Sequence, residues 1–261
     1  MNSSKPEALS SVTKKSNLLL FLGAFFIGNA ILAELSGAKI FSVGKLLSGI
    51  LPHSTFAVNM NMSIGVVIWP LVFVTSDLLN EYFGRSGVRR ISFLTAGLIA
   101  YATGFLLIGN KLPPADFWLK NNPVDPAGNP FNINYAYQLI FRQGANIIAG
   151  SLVAFLVSQL VDAYAFQYFK KITGHRLLWL RATGSTVISQ VIDSFLILYV
   201  AFFLLGNWTL AQVMQVGLLQ YIYKVSLAVF LTPLIYLMHY LIDLYLGKEA
   251  VEGNSKTVLA E

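Results

Sequence analysis

The chain predicts an all-α membrane protein with six transmembrane helices, and three observations carry that expectation. Hydrophobic residues make up 56% of the 261 and charged residues only 11%, where an ordinary soluble domain has roughly 45–50% and 25%. Mean hydropathy is +0.64. Apolar stretches long enough to cross a bilayer recur six times, and the Lys and Arg residues gather in the segments between them.

A hydrocarbon core about 30 Å thick needs about 20 helical residues at about 1.5 Å of rise each. Runs of that length cover residues 17–35, 62–82, 88–108, 144–166, 178–205 and 217–241. The first follows Lys14 and Lys15 and precedes "SGA", as a signal peptide would. It is long for such a segment and carries Glu34 near its far end, so it reads as a retained helix. Between the first two runs, "AKIFSVGKLLSGIL" is short and punctuated by Gly and Lys, and reads as interfacial or re-entrant. Residues 112–134, rich in Pro and Asn, read as a long loop. The expected organisation is an N-terminal tail over 1–16, a helical domain over 17–247 and a C-terminal tail over 248–261.

Basic residues set orientation. In the six-span layout Lys5, Lys14, Lys15, Arg85, Arg89, Arg90, Lys170, Lys171, Arg176, Arg181, Lys248 and Lys256 fall on one side. Only Lys39, Lys45, Lys111, Lys120 and Arg142 fall on the other, so both termini are expected in the cytoplasm. The net charge of +6 is spread over these short clusters and forms no stripe, which argues against a nucleic-acid partner. There is no cysteine, so disulfides and thiol catalysis are excluded. His53, His175 and His239 lack metal-ligand spacing, and no GxxxxGK[ST] phosphate loop occurs. Neither a metal, nor another cofactor, nor autonomous ATP hydrolysis is expected.

A carboxylate or ammonium at the centre of a spanning helix costs about 2.5–3.5 kcal/mol, so several in one chain require a shared interior sheltered from lipid. Asp77, Asn80 and Glu81 are spaced i, i+3, i+4 and share a face, with Pro70 earlier on that side. "SQLVDAYAF" from Ser158 and "SQVIDSFLI" from Ser189 then repeat Ser-Gln-x-x-Asp in two successive runs. Ser158, Gln159 and Asp162 fall within about 100° of a helical wheel, and Thr186, Gln190 and Asp193 within about 60°. In the last run Gln220 and Lys224 are i, i+4, and Tyr221 between them is placed to stack on a flat ligand. Two antiparallel neighbours with one amide-plus-carboxylate face would line a cavity whose donors and acceptors match a nucleobase-like or amide-bearing solute.

Structural roles compete for some of these residues. Glu34 and Lys224 have similar expected depth and opposite sign, suited to a buried ion pair or to a substrate contact. Glu81 is expected to pair with Arg85 or Arg181. Ser158, Ser189 and Thr186 suit helix contact, whereas Gln159, Asp162, Gln190 and Asp193 point to function because their motif recurs at membrane depth. Asn29 and Asn146 read as interhelical hydrogen-bonding residues. Two aspartates on adjacent helices are also the layout of an intramembrane aspartyl protease, but "LVDAY" and "VIDSF" lack its Tyr-Asp and Gly-x-Gly-Asp contexts.

Four stretches, "WPLVFVTSDLLNEYFG", "LVAFLVSQLVDAYAF", "LWLRATGSTVISQVIDSFL" and "YKVSLAVFLTPLIY", together resemble the queuosine precursor transporter family, also called the vitamin uptake transporter family, over residues 29–247. The resemblance implies a six-helix, multi-pass protein of the bacterial inner membrane, similar in fold to the substrate-binding subunits of energy-coupling-factor importers. It implies import of 7-deazapurine precursors of queuosine, and no enzymatic activity. The family's polar pattern falls on Asp77, Asn80 and Glu81, on Gln159 and Asp162, on Arg181, Ser185, Thr186, Ser189, Gln190 and Asp193, and on Lys224. It leaves open whether the base carries a nitrile, an aminomethyl group or a larger substituent, and whether protomers form a homodimer. It also leaves open whether the chain transports alone or captures solute for a separate ATP-driven coupling module.

Overall fold

The computed structural model describes residues 4–37, 39–42, 45–46, 61–141, 145–174 and 177–247. Its elements are α1 (Ser4–Ser36), β1 (Ile40–Ser42), β2 (Asn61–Ser63), α2 (Gly65–Gly109), α3 (Asp116–Lys120), α4 (Ile133–Phe141), α5 (Ala145–Thr173), α6 (Leu178–Leu198) and α7 (Leu210–Leu246). A π-helical stretch, Tyr199–Leu204, extends α6. Among the described residues α1, α2, α5, extended α6 and α7 are long and apolar enough to cross a membrane. The chain is an all-α, multi-pass membrane protein.

At 45 residues α2 would stretch about 67 Å if straight. It breaks at Gly84, whose φ of 66° and ψ of −171° are open to a residue without a Cβ. Three contacts with α1 show what the break does. Gly65, at the start of α2, lies against Ala33, and Ile91, just past the break, meets Gly23 partway down α1. Thr103, near the end of α2, lines a small cavity with Glu34. Both ends of α2 therefore sit beside the C-terminal end of α1, and the chain doubles back at Gly84, between the runs expected over 62–82 and 88–108.

The bundle is built as a hydrocarbon solvent requires. Leu20, Phe21, Tyr101, Phe105 and Phe230 are exposed, while Lys170, Arg181, Gln159 and Gln190 are among the largest fully buried side chains. Lipid tails accept the first set, and the second satisfies itself internally. α1 lies along α2, α2 against α5, α5 along α6 and α6 against α7. Phe26, Val72, Leu79, Phe155 and Phe166 belong to one apolar core. Gly217 lets α7 approach α6 closely, since a Cβ there would sit 2.6 Å from the Phe195 ring. Lys14 stands over the Tyr245 ring at 5.7 Å, Tyr82 bonds Asp243 and Lys170 bonds Glu81. One end of the bundle thus gathers the first part of α1, the Gly84 break, the end of α5 and the end of α7.

Several boundaries differ from the expectation. α1 starts at Ser4, inside the tail expected over 1–16, and α5 runs on to Thr173. α7 begins at Leu210 because Thr209 and Gln212 form a capping box: Gln212 N donates to Thr209 Oγ1 at 3.3 Å and Thr209 N to Gln212 Oε1 at 2.8 Å. The loop over 112–134 holds α3 and a turn in which Asp125 accepts from the backbone N–H groups of Ala127 and Asn129 at 2.9 Å each. β1, inside the segment expected to be interfacial or re-entrant, pairs antiparallel with β2, which lies beyond it, Phe41 opposite Met62. Residues 38, 43–44 and 47–51 of that segment, the 248–261 tail, His53, His175 and the side chain of Asn146 lie outside the described residues.

Candidate functional site

At the end of the bundle that holds the Gly84 break, α2, α5, α6 and α7 meet in an ion cluster centred on Glu81. Lys170 Nζ lies 3.1 Å from Glu81 Oε1 and donates to the Glu81 carbonyl at 2.8 Å. Arg181 Nη2 lies 3.2 Å from Glu81 Oε2, and Arg181 Nη1 donates to the Gly174 carbonyl at 2.5 Å. His239 Nε2 is 3.9 Å from Glu81, and its Nδ1 is 2.9 Å from Asp243, which also accepts from the Tyr82 hydroxyl at 2.6 Å. Of the two partners expected for Glu81, Arg181 takes the place, and the Arg85 guanidinium lies over the Tyr164 ring. Lys170 escaped the sequence analysis, where it counts only as a topology marker. A signal was there: Gln159, Ala163, Gln167 and Lys170 recur on one face of α5.

One turn away, hydrogen bonds fasten α2 to α5. Ser76 Oγ donates to Gln159 Oε1 at 2.7 Å, Asn80 Nδ2 to the Ala163 carbonyl at 3.2 Å, and Gln167 Nε2 to both the carbonyl and Oδ1 of Asn80 at 2.8 Å. Asn80 and Gln159 therefore face the α2–α5 seam.

The repeated Ser-Gln-x-x-Asp forms a reciprocal brace. Ser158 of the first copy donates to Asp193 of the second at 3.3 Å, and Ser189 of the second donates to Asp162 of the first at 3.0 Å. Antiparallel helices carrying one motif exchange partners in this way. The carboxylates differ in what else they meet: Asp193 lies 2.5 Å from Lys224 Nζ, and Asp162 has no cationic partner among the described residues. Asp193 is level with Ser158, and Asp162 lies one turn on, about 6 Å along α5. A proton-sharing aspartyl dyad needs its carboxyls in contact. Gln190 is buried, with Oε1 unpartnered.

Two expected contacts do not form. Glu34 does not pair with Lys224; its Oε1 accepts from Ser151 Oγ at 2.6 Å. Equal depth says nothing of azimuth, and Asp193 on the adjoining helix α6 takes Lys224. Asn29 makes no interhelical bond but donates back to the Phe25 carbonyl at 2.8 Å within α1.

Between the first half of α2, α6 and α7 lies a partly open cavity with about 460 Å³ of empty space, counting what is open to the surroundings. Trp69, Phe73 and Tyr223 supply its aromatic wall, and Asp77, Thr183, Thr186 and Lys224 its polar groups. Trp69 and Phe73 stack with centroids 6.0 Å apart. Pro70 also lines the cavity, and because it has no N–H the Val66 carbonyl, on the same wall, loses its helical partner. Asp77 is 4% exposed, yet its Oδ1 has no hydrogen-bond partner. Tyr221 is absent from this wall. The cavity face of α7 runs through Tyr223, Leu227, Leu231 and Ile235, and a residue two positions from Tyr223 points about 200° away. Trp69 and Phe73 also escaped the sequence analysis, although an aromatic on successive turns leading to Asp77 is a readable stripe.

The cavity-lining residues fall within the part of the chain that matches a known family: the profile described as "Putative vitamin uptake transporter" covers residues 63–238. The chain belongs to this family. A protein of Bacillus subtilis (strain 168) named "Probable queuosine precursor transporter" is 28% identical over 179 residues, 68% of this chain and 72% of the relative. The "Queuosine precursor transporter" of Escherichia coli (strain K12) is 25% identical over 202 residues, 71% of this chain and 79% of the relative. No solved structure matches the chain at a significant level. Members of a transporter family need a polar route within a bilayer, and the polar seam of α2, α5, α6 and α7 is where this chain concentrates its buried charges.

Proposed function

We propose that the chain imports queuosine precursors, 7-deazapurine bases, across a bacterial inner membrane, and that the base binds in the cavity between the first half of α2, α6 and α7. The relatives' names support the solute class. The observation that carries the site is the pairing of flat aromatic walls with an unclaimed acceptor. A fused bicyclic base has two apolar faces, and stacking on an aromatic ring is worth about 1–3 kcal/mol. Trp69, Phe73 and Tyr223 offer that surface, while the free Asp77 Oδ1 accepts from a donor on the ligand rim. Asp162 and Asp193 stand behind the wall, where the Ser189 and Ser158 hydroxyls join α5 to α6.

In this reading α2 supplies two of six crossings, the arrangement of energy-coupling-factor substrate-binding subunits, and the end carrying Lys14, Arg85, Lys170 and Arg181 faces the cytoplasm. The absence of cysteine makes orientation simple to test, since single cysteines at Lys14 and Lys120 are each open to an impermeant reagent from one side only. The functional test is uptake of labelled 7-deazaguanine bases by the purified chain in proteoliposomes. Saturable uptake that is lost in Trp69→Ala and Asp77→Ala is the expected result. Binding without uptake would indicate a capture subunit that needs a coupling module, and neither binding nor uptake would end the proposal.

A further inference from the structure

Where α2, α5, α6 and α7 meet, the described carboxylates, counted as ionised, outnumber the cations, and the excess lies at the cavity. Among the described residues, Asp77, Glu81, Asp162 and Asp193 face Lys170, Arg181 and Lys224 there. The cations are already assigned. Lys170 and Arg181, each 1% exposed, hold Glu81, and Lys224 holds Asp193. His239 turns to Glu81 and Asp243. Asp77 and Asp162 are left together, repelling each other across the α2–α5 seam. Their neighbours fix that juxtaposition: Ser76 next to Asp77 bonds Gln159, and Asn80 bonds Ala163 next to Asp162. Asp162 meets the Ser189 and Ser185 hydroxyls, and among the described residues Asp77 Oδ1 has no partner.

We infer that Asp77, backed by Asp162, reads the charge of the substrate and selects a base bearing a protonated amine over a neutral one of the same ring system. An ammonium supplies both things the site lacks. It brings one positive charge to the carboxylate pair, and it brings N–H donors for an acceptor that has none. Charge-assisted bonds of this kind are shorter and about twice as strong as neutral ones, and more so away from water. A neutral ring N–H would satisfy Oδ1 and leave the charge uncorrected. Lys224, on the same wall, does not oppose the amine because Asp193 already neutralises it. The inference rests on the cavity being the deazapurine site and adds which substituent that site prefers.

The test is equilibrium binding to the full chain in lipid nanodiscs, using 7-aminomethyl-7-deazaguanine and 7-cyano-7-deazaguanine, which share a ring system and differ in charge. The wild-type protein should bind the amine at least about tenfold more tightly. Asp77→Asn should remove most of that preference by weakening the amine far more than the nitrile, and Asp77→Glu should restore part of it. A thermal midpoint at or above that of the wild type shows that the variant is folded. Equal wild-type affinity for the two bases, or Asp77→Asn weakening both alike, would overturn the charge reading and leave the site intact. Competition between the amine and sodium at constant ionic strength, absent with potassium, would assign the pair to an inorganic cation and also overturn it. Binding of neither base would instead overturn the site.

Discussion

Glu81 and Asp77 stand one turn apart on the same helix, are almost equally buried, and live in opposite surroundings. Glu81 has Lys170 and Arg181 within 3.2 Å and His239 at 3.9 Å. Asp77 has a carboxylate for a neighbour and an oxygen with no partner. Burying an uncompensated charge costs several kcal/mol, so a protein tolerates it only where something else recovers the cost. At Glu81 the protein itself does so, by tying four helices together. At Asp77 it does not, and the group faces a cavity. In the proposed reading the difference separates a residue that assembles the bundle from one that waits for a ligand, although the two have the same chemistry and the same spacing rule.

Removing the charge from each residue should therefore act in opposite directions. Glu81→Gln strands two buried cations and is expected to lower stability by about 3–5 kcal/mol, seen as an early thermal transition in detergent or as loss of folded yield. Asp77→Asn deletes a charge that nothing compensates, and its thermal midpoint should equal or exceed that of the wild type. Equal losses in the two variants would break the comparison. Lys224→Met sharpens it by making Asp193 resemble Asp77. Both side chains keep some exposure, so a loss of about 2–3 kcal/mol is expected, and adding Asp193→Asn should recover part of it. Ser189→Ala removes one hydrogen bond to a carboxylate and should cost about 1–2 kcal/mol. Ser158→Ala, with a longer bond and with Lys224 still on Asp193, should cost less.

The smallest effect lies outside the membrane. Asp125 caps its turn through the N–H groups of Ala127 and Asn129, and the Asn129 side chain and these backbone bonds hold its carboxyl below the ordinary value of 3.8. A group with a lowered folded-state pKa contributes above its unfolded value and stops contributing as pH falls through the folded one. Acidification below about pH 4 should therefore lower the amide-exchange protection factors at residues 125–129, relative to the intrinsic rate at each pH, while the thermal midpoint of the bundle stays unchanged. A shift of the whole unfolding transition with this turn would show the turn to be coupled to the bundle.

Much of the fold was legible because a bilayer imposes one length scale on every crossing. Hydropathy located each long helix, and the break at Gly84 falls in the short polar gap between two expected runs. The ends were harder to read. Thr209-x-x-Gln212 is a capping signature, but it lies in "GNWTLAQVMQ", a stretch that looks like a loop when only apolar content is counted. The site was legible by residue type and less so by direction. Spacing put Asp77, Thr186 and Lys224 on inward faces, and these three line the cavity. Spacing did not reveal that Asn80 and Gln159 are consumed at a helix seam, that Lys224 meets Asp193 in place of Glu34, or that Tyr223 replaces Tyr221 at the wall. Those outcomes depend on which helix stands beside which and at what rotation. A single helix's wheel carries no such information.

The doubling back of α2 also bears on how the protein is made. The polar gap at the bend, Gly84 to Arg90, is short and continuous with the two helical halves, and leaves a translocating machinery little on which to pause between them. The half carrying Asp77 and Glu81 therefore has to leave the translocon as a hairpin with its more apolar successor. It remains a poor lodger in lipid until Lys170 and Arg181 emerge from the ribosome, far later in the chain, to claim Glu81.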